Sequence, residues 1–156
     1  MIRRHVIAVG LATFGVLALA SCSVPVTGGT GLLVDGGRVQ AVVQMCPNTT
    51  ASEVRLTKSF GSTYPWERVT WRFDSAEYAT VDLGTVDEFL ERVGDRRMEI
   101  SSNSSAGEGG WVEFDAESIG ALGEGEIISY SSADNDSKIF DIVSFEDESL
   151  MYCPAR

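Results

Sequence analysis

Arg68-Val69-Thr70-Trp71-Arg72-Phe73, followed after a short break by Tyr78-Ala79-Thr80-Val81-Asp82-Leu83, alternates polar and apolar side chains with a period of two. Successive side chains of a strand point to opposite faces, so this alternation describes strands with one face buried and one in water. Working outward, similar short runs occur at 32–34, 38–45, 53–58, 97–101, 111–114, 126–130 and 139–144. About nine short strands in one chain predict a mainly β fold, an antiparallel β-sandwich or open barrel with the sandwich preferred. Asp35-Gly36-Gly37 between the first two runs reads as a hairpin turn, because these residues accept the positive φ that tight turns need.

One short helix (85–93) interrupts the strands. Thr85-Val86-Asp87-Glu88 is a capping box, Val86, Phe89, Leu90 and Val93 share a face, and Gly94 ends it. A second helical turn is expected from Asp115 through Ile119 to Leu122. The segments 101–110 and 131–137, rich in Ser, Gly, Asn and Asp, read as polar loops.

The chain has 156 residues, 44% of them hydrophobic, which suits one globular domain. Its 12 Lys and Arg against 23 Asp and Glu leave a net charge of −11, so no nucleic acid is expected as a partner. Acids crowd the second half: residues 98–156 hold 13 acidic and 2 basic side chains, against 10 and 8 in residues 22–97. Such an excess either attracts a basic protein or simply keeps the surface solvated.

The N-terminus has the three parts of a secretory signal: Arg3 and Arg4, an apolar stretch from Val6 to Leu19, then small residues at Ala20 and Ser21. The stretch is shorter than the roughly 20 residues a spanning helix needs, so it reads as a processed segment. At its end, Leu19-Ala20-Ser21-Cys22 resembles the lipobox of bacterial lipoprotein precursors. The resemblance implies that residues 1–21 are a signal peptide, that cleavage precedes Cys22, and that a diacylglycerol is joined to its sulfur. It implies localisation at the extracytoplasmic side of the cell membrane, with the membrane itself as a partner through the N-terminal lipid. Arg outnumbers Lys eight to two after residue 21, as in proteins of GC-rich actinobacteria. Pieces such as Leu33-Val34-Asp35-Gly36-Gly37-Arg38, Val42-Val43-Gln44-Met45-Cys46-Pro47 and Ile119-Gly120-Ala121-Leu122-Gly123-Glu124-Gly125 are similar to small actinobacterial lipoproteins, a group that brings no known activity.

Residues 22–31, with Ser23-Val24-Pro25-Val26-Thr27-Gly28-Gly29-Thr30-Gly31 uncharged and aperiodic, read as a flexible tether, leaving 32–156 as one β-rich domain. With Cys22 lipidated, Cys46 and Cys153 remain as an even pair in an oxidising compartment, and a disulfide between them is expected. The rivals are a reactive thiol and a zinc site. The only histidine, His5, lies in the signal, so zinc would need two thiolates and two carboxylates. Alternation places Cys46 on the polar face of its strand, which a strand-end position or a bulge would resolve.

No catalytic residue, metal or cofactor is assigned. Once the signal is removed with His5, the mature chain has no histidine, which excludes Ser-His-Asp and Cys-His chemistry, and no Gly-x-Ser-x-Gly elbow occurs. A carboxylate pair could still hydrolyse a glycoside. Asp134-Asn135-Asp136-Ser137-Lys138 starts like a calcium loop, but Lys138 occupies a ligand position. Candidate partner contacts are Tyr64 and Trp66, on a loop with Pro65, and Glu146, Asp147 and Glu148. The expectation is a lipid-anchored envelope protein, a non-enzymatic binding or accessory module, with a small carboxylate hydrolase as the alternative.

Overall fold

The computed structural model describes residues 26–58, 68–104 and 106–153. The elements, in chain order, are β1 (Gly28–Asp35), β2 (Arg38–Met45), β3 (Ala51–Lys58), β4 (Val69–Ala76), β5 (Tyr78–Thr85), α1 (Val86–Val93), β6 (Met98–Ser104), β7 (Gly107–Phe114), α2 (Ala116–Gly120), β8 (Ile127–Ser131), β9 (Asp136–Phe140) and α3 (Ile142–Met151). They form two antiparallel sheets, one of five strands in the order β5-β2-β1-β8-β9 and one of four in the order β4-β3-β6-β7. This is a mainly β fold of β-sandwich type, not a closed barrel.

The expected turn joins β1 to β2, with Asp35 opposite Arg38 and positive φ at both Gly36 (56°) and Gly37 (72°). Positive φ at both central positions matches the right-handed twist of the flanking strands. Inward-facing residues of the two sheets meet in one core: Leu32, Val39, Ala41, Val43 and Met45 from one side, Val54, Leu56, Met98, Ile100 and Val112 from the other. Helix α1 closes one end of that core. Thr85 caps it as the capping box predicts, and Phe89 stacks on Phe114 with ring centroids 5.9 Å apart. The expected second helical turn is α2, capped by the Asp115 carboxylate.

Three expectations are corrected. The end of the tether is a strand: Gly28, Gly29, Thr30 and Gly31 begin β1 and are buried. The lack of a side chain at the glycines is what packing requires, because a Cβ on Gly29 would lie 2.0 Å from Ser149 Oγ and one on Gly31 would lie 2.5 Å from Ile127 Cγ2. The supposed loop 101–110 is most of the β6–β7 hairpin, and Ser102 is buried within it. Thr30 Oγ1 bridges the sheets there, lying 2.7 Å from both Ser102 Oγ and the Gly109 carbonyl oxygen.

The third correction concerns the C-terminus. The run 139–144 is split between the end of β9 and the start of α3, a helix the period-two signal conceals. Asp141 caps α3 by accepting from the Ser144 N–H at 2.8 Å. The helix lies on the outer face of the five-stranded sheet, where Phe145 joins Val42 and Ile127 in a second buried cluster edged by Leu33 and Phe140. Cys153, just beyond α3, is disulfide-bonded to Cys46 with a Cα–Cα distance of 5.5 Å. Cys46 directly follows β2 on its Val42 and Gln44 face, which is the outer face that α3 covers, so its register suits the bridge without a bulge there.

Candidate functional site

Strand register gives the sandwich two distinct ends. The proximal end holds Val26, where the described residues begin, together with Met45 opposite Gly28, Ser104 opposite Ala51, and the disulfide. Thr27 ties the two sheets there, its N–H donating to the Glu108 carbonyl at 2.7 Å and its carbonyl accepting from the Cys46 N–H at 2.8 Å. The distal end holds the Asp35–Arg38 turn, the end of β3 at Lys58, the start of β4 at Val69, and helices α1 and α2. Strands of eight residues separate the ends by about 25 Å.

A groove of about 670 Å³ opens near the distal end between β4, β5 and α1, lined by Arg38, Trp71, Asp82, Glu88, Glu91 and Arg92 among others. Strands β4 and β5 are the terminal strands of different sheets, so among the described residues each presents an edge with no neighbour in its sheet. Val69, Trp71, Phe73 and Val81 form a partly buried apolar row along them. All four pack against the core, and of them Trp71 also lines the groove, with Leu83 beside it.

The charges of the groove are matched internally. Arg38 donates through Nε and Nη2 to one oxygen of Asp82, at 2.9 and 2.6 Å, while the other oxygen accepts from the Gly84 N–H at 3.0 Å. The Arg38 hydrogen bond, then that of Gly84, holds the Asp82 carboxyl below its ordinary pKa. Glu88 completes the capping box by accepting from the Thr85 N–H at 3.0 Å, which lowers its pKa too. Arg92 lies over the Trp71 ring, 5.6 Å from the centroid, with the geometry of a cation–π contact. Asp82 and Glu88 are thus held as anions, and neither is suited to give up a proton near neutral pH.

The outer face of the four-stranded sheet carries a second polar constellation. Glu53 pairs with Arg55, and Ser52, Glu53, Arg72, Phe73, Asn103 and Ser104 line a groove of about 500 Å³. Further along, Glu99 stands opposite Glu113, which pairs with Arg97 at 3.4 Å. Burial, then the charges of Glu113 and Glu108, raises the pKa of Glu99. Neither carboxylate lines the two grooves.

The residues marked in the sequence fare differently. Cys22, Tyr64 and Trp66 lie outside the described residues. Glu146, Asp147 and Glu148 belong to α3. Glu148 is committed to the fold, accepting from both the N–H and the hydroxyl of Ser132 at 2.8 Å. Other acids of the second half do similar work: Asp115 and Asp141 cap helices, Glu124 and Glu126 accept from the Gly36 and Gly123 N–H groups, and Asp134 pairs with Lys138 at 3.0 Å. Glu99 and Glu113 lie on the four-stranded sheet, while Glu146 and Asp147 lie on α3 over the five-stranded one. The acidic half therefore does not form a single face.

Sequence reasoning passes over Arg38, Trp71, Asp82 and Arg92. The usable signal is Trp71 on an alternating strand with arginines on either side; the Arg38–Asp82 pairing needs the β2–β5 register and cannot be read from spacing. Among the described residues, no group of three metal-ligating side chains occurs, and no helix is long and apolar enough to cross a membrane. In comparisons with family models, curated proteins and solved structures, nothing matches this chain.

Proposed function

We propose that this is a lipid-anchored cell-envelope protein whose sandwich binds an extended polypeptide segment of an envelope partner in the distal groove. The observation that carries this reading is the pair of sheet edges, β4 and β5, unpaired among the described residues, beside a groove whose apolar floor is Trp71 and Leu83, at the end away from Val26. An added strand finds backbone partners on such an edge and seats alternate side chains on the floor. The floor offers Trp71 as an anchor and Glu91 and Arg92 as a charged rim. Anchoring through Cys22 at the opposite end would hold this groove away from the lipid.

The experiment places a photo-crosslinking residue at Glu91 and, as a control, at Asp147 on α3. The groove reading expects a discrete adduct from Glu91, absent from Asp147 and lost when Trp71→Ala is added. Adducts from Asp147 alone would return the site to the acidic helix and overturn the groove. The anchor is tested separately. Intact mass of protein extracted from membranes should carry a diacylglycerol at Cys22, and Cys22→Ala should abolish partition into detergent. Extracted protein with an unmodified Cys22 would overturn lipid anchoring.

The competing reading, a small hydrolase, has one observation in its favour. Glu99, opposite Glu113, is pushed toward the protonated form by burial and then by the charges of Glu113 and Glu108, and a glycosidase needs a carboxyl of that kind as its general acid. Against it, the pair stands on a sheet face outside both grooves. Hydrolysis predicts that Glu99→Gln abolishes cleavage of envelope glycans by the purified protein. The binding reading expects no cleavage by either form.

A further inference from the structure

The direction of α3 can be read from the residues beneath it. Phe145 lies against Gly31 and Ser149 against Gly29, so the helix descends toward the start of β1 and ends beside the disulfide that joins it to β2. Its last residues therefore reach the proximal end, and Tyr152 and Val26 line the same small pocket there. At this end Leu150 is 41% exposed and Met151 63%, an arrangement that leaves apolar surface in water. Tyr78, at the start of β5 opposite Gln44, is exposed at the same end.

Chain length decides what meets this surface. Val26 is four residues after Cys22, and four residues span at most about 14 Å when fully extended. The tether expected from sequence is longer, but β1 takes its last residues into the sheet. A lipid on Cys22 therefore cannot hold the domain clear of the bilayer; it must bring the proximal end against the headgroups. Resting on the lipid-anchored reading, we propose that Leu150 and Met151 form a membrane contact, seated among the lipid headgroups beside the anchor. Glu77, Glu108, Asp134 and Asp136 are exposed at this end and Lys138 pairs with Asp134, so the contact is apolar and suits a neutral lipid surface rather than an anionic one.

The test uses the full lipidated protein in phosphatidylcholine vesicles in which some acyl chains are brominated to quench nearby tryptophan. Met151→Trp adds an indole at the proposed contact, and Val143→Trp adds one at the other end of α3, also 63% exposed in the parent. Eight residues of helix separate the positions by about 12 Å. After subtraction of the parent emission, the added signal of Met151→Trp should blue-shift and be lost to bromine, while that of Val143→Trp should not. In the unsubstituted lipidated protein, amide exchange over 149–153 should slow when vesicles are added. If Cys22 carries its lipid by intact mass but the Met151 signal is unquenched, or both signals are quenched equally, the contact is overturned and the anchor stands. If the mass shows no lipid on Cys22, the anchored reading and the contact fall together.

Discussion

Reducing the Cys46–Cys153 bridge, or replacing both residues by alanine, is expected to lower the free energy of unfolding by about 4 to 5 kcal/mol. That is the loop-closure value for a bridge of this span, 107 residues, at room temperature. A domain of this size has about 5 to 15 kcal/mol in all, so the loss should shift a urea midpoint by a large fraction of its value. The loss should also be local in its first effects. Cys153 follows the last turn of α3, and its bridge fixes that turn to the end of β2; without it the helix keeps Phe145 in its cluster and the Glu148 bonds to Ser132. Amide exchange should accordingly rise first in α3 and last in β2 and β3, whose inward residues lie in the central core. Equal urea midpoints for oxidised and reduced protein would mean that packing alone holds the helix.

Legibility follows side-chain periodicity and fails where small residues carry the packing. The run 38–45 is β2 without adjustment, because Val39, Ala41, Val43 and Met45 all point into one core. Thr85 and Glu88 announce α1 because a capping box is a local bond pattern that the fold does not override. Gly28, Gly29 and Gly31, by contrast, lack the side chains on which any period depends, and their burial comes from what lies over them. Helix α3 hides for the complementary reason: it buries only Phe145 and Ser149, one of them polar, while Ile142, Val143, Leu150 and Met151 stay exposed. A serine over a glycine leaves no hydrophobic signature. The groove is half legible. Trp71 and Phe73 belong to the alternation that fixes β4 as a strand, but that β4 and β5 end different sheets is a fact of topology, set by pairings with β3 and β2.

Phe145→Ala is expected to cost about 3 to 5 kcal/mol, the range for emptying a buried aromatic site. The side chain is fully buried against Val42 and Ile127, and Gly31 leaves the strand surface bare beneath it. Leu150→Ala, on the exposed side of the same helix, is the control and should fall within about 0.5 kcal/mol of the parent. The glycine seat makes a sharper claim about the same interface. Gly29→Ala adds a methyl whose nearest neighbours all belong to Ser149, at 2.0 Å from Oγ, 2.7 Å from Cβ and 3.2 Å from Cα. The helix must lift, at about 1 to 3 kcal/mol for overpacking. Ser149→Gly removes two of those three atoms at a helix-propensity cost of about 0.5 to 1 kcal/mol, so the double variant should be more stable than the sum of the singles predicts. Urea denaturation of the four proteins measures that coupling. Strict additivity, together with a Phe145→Ala loss no larger than that of Leu150→Ala, would mean that α3 does not rest on β1, and the membrane contact at its end would lose its support as well.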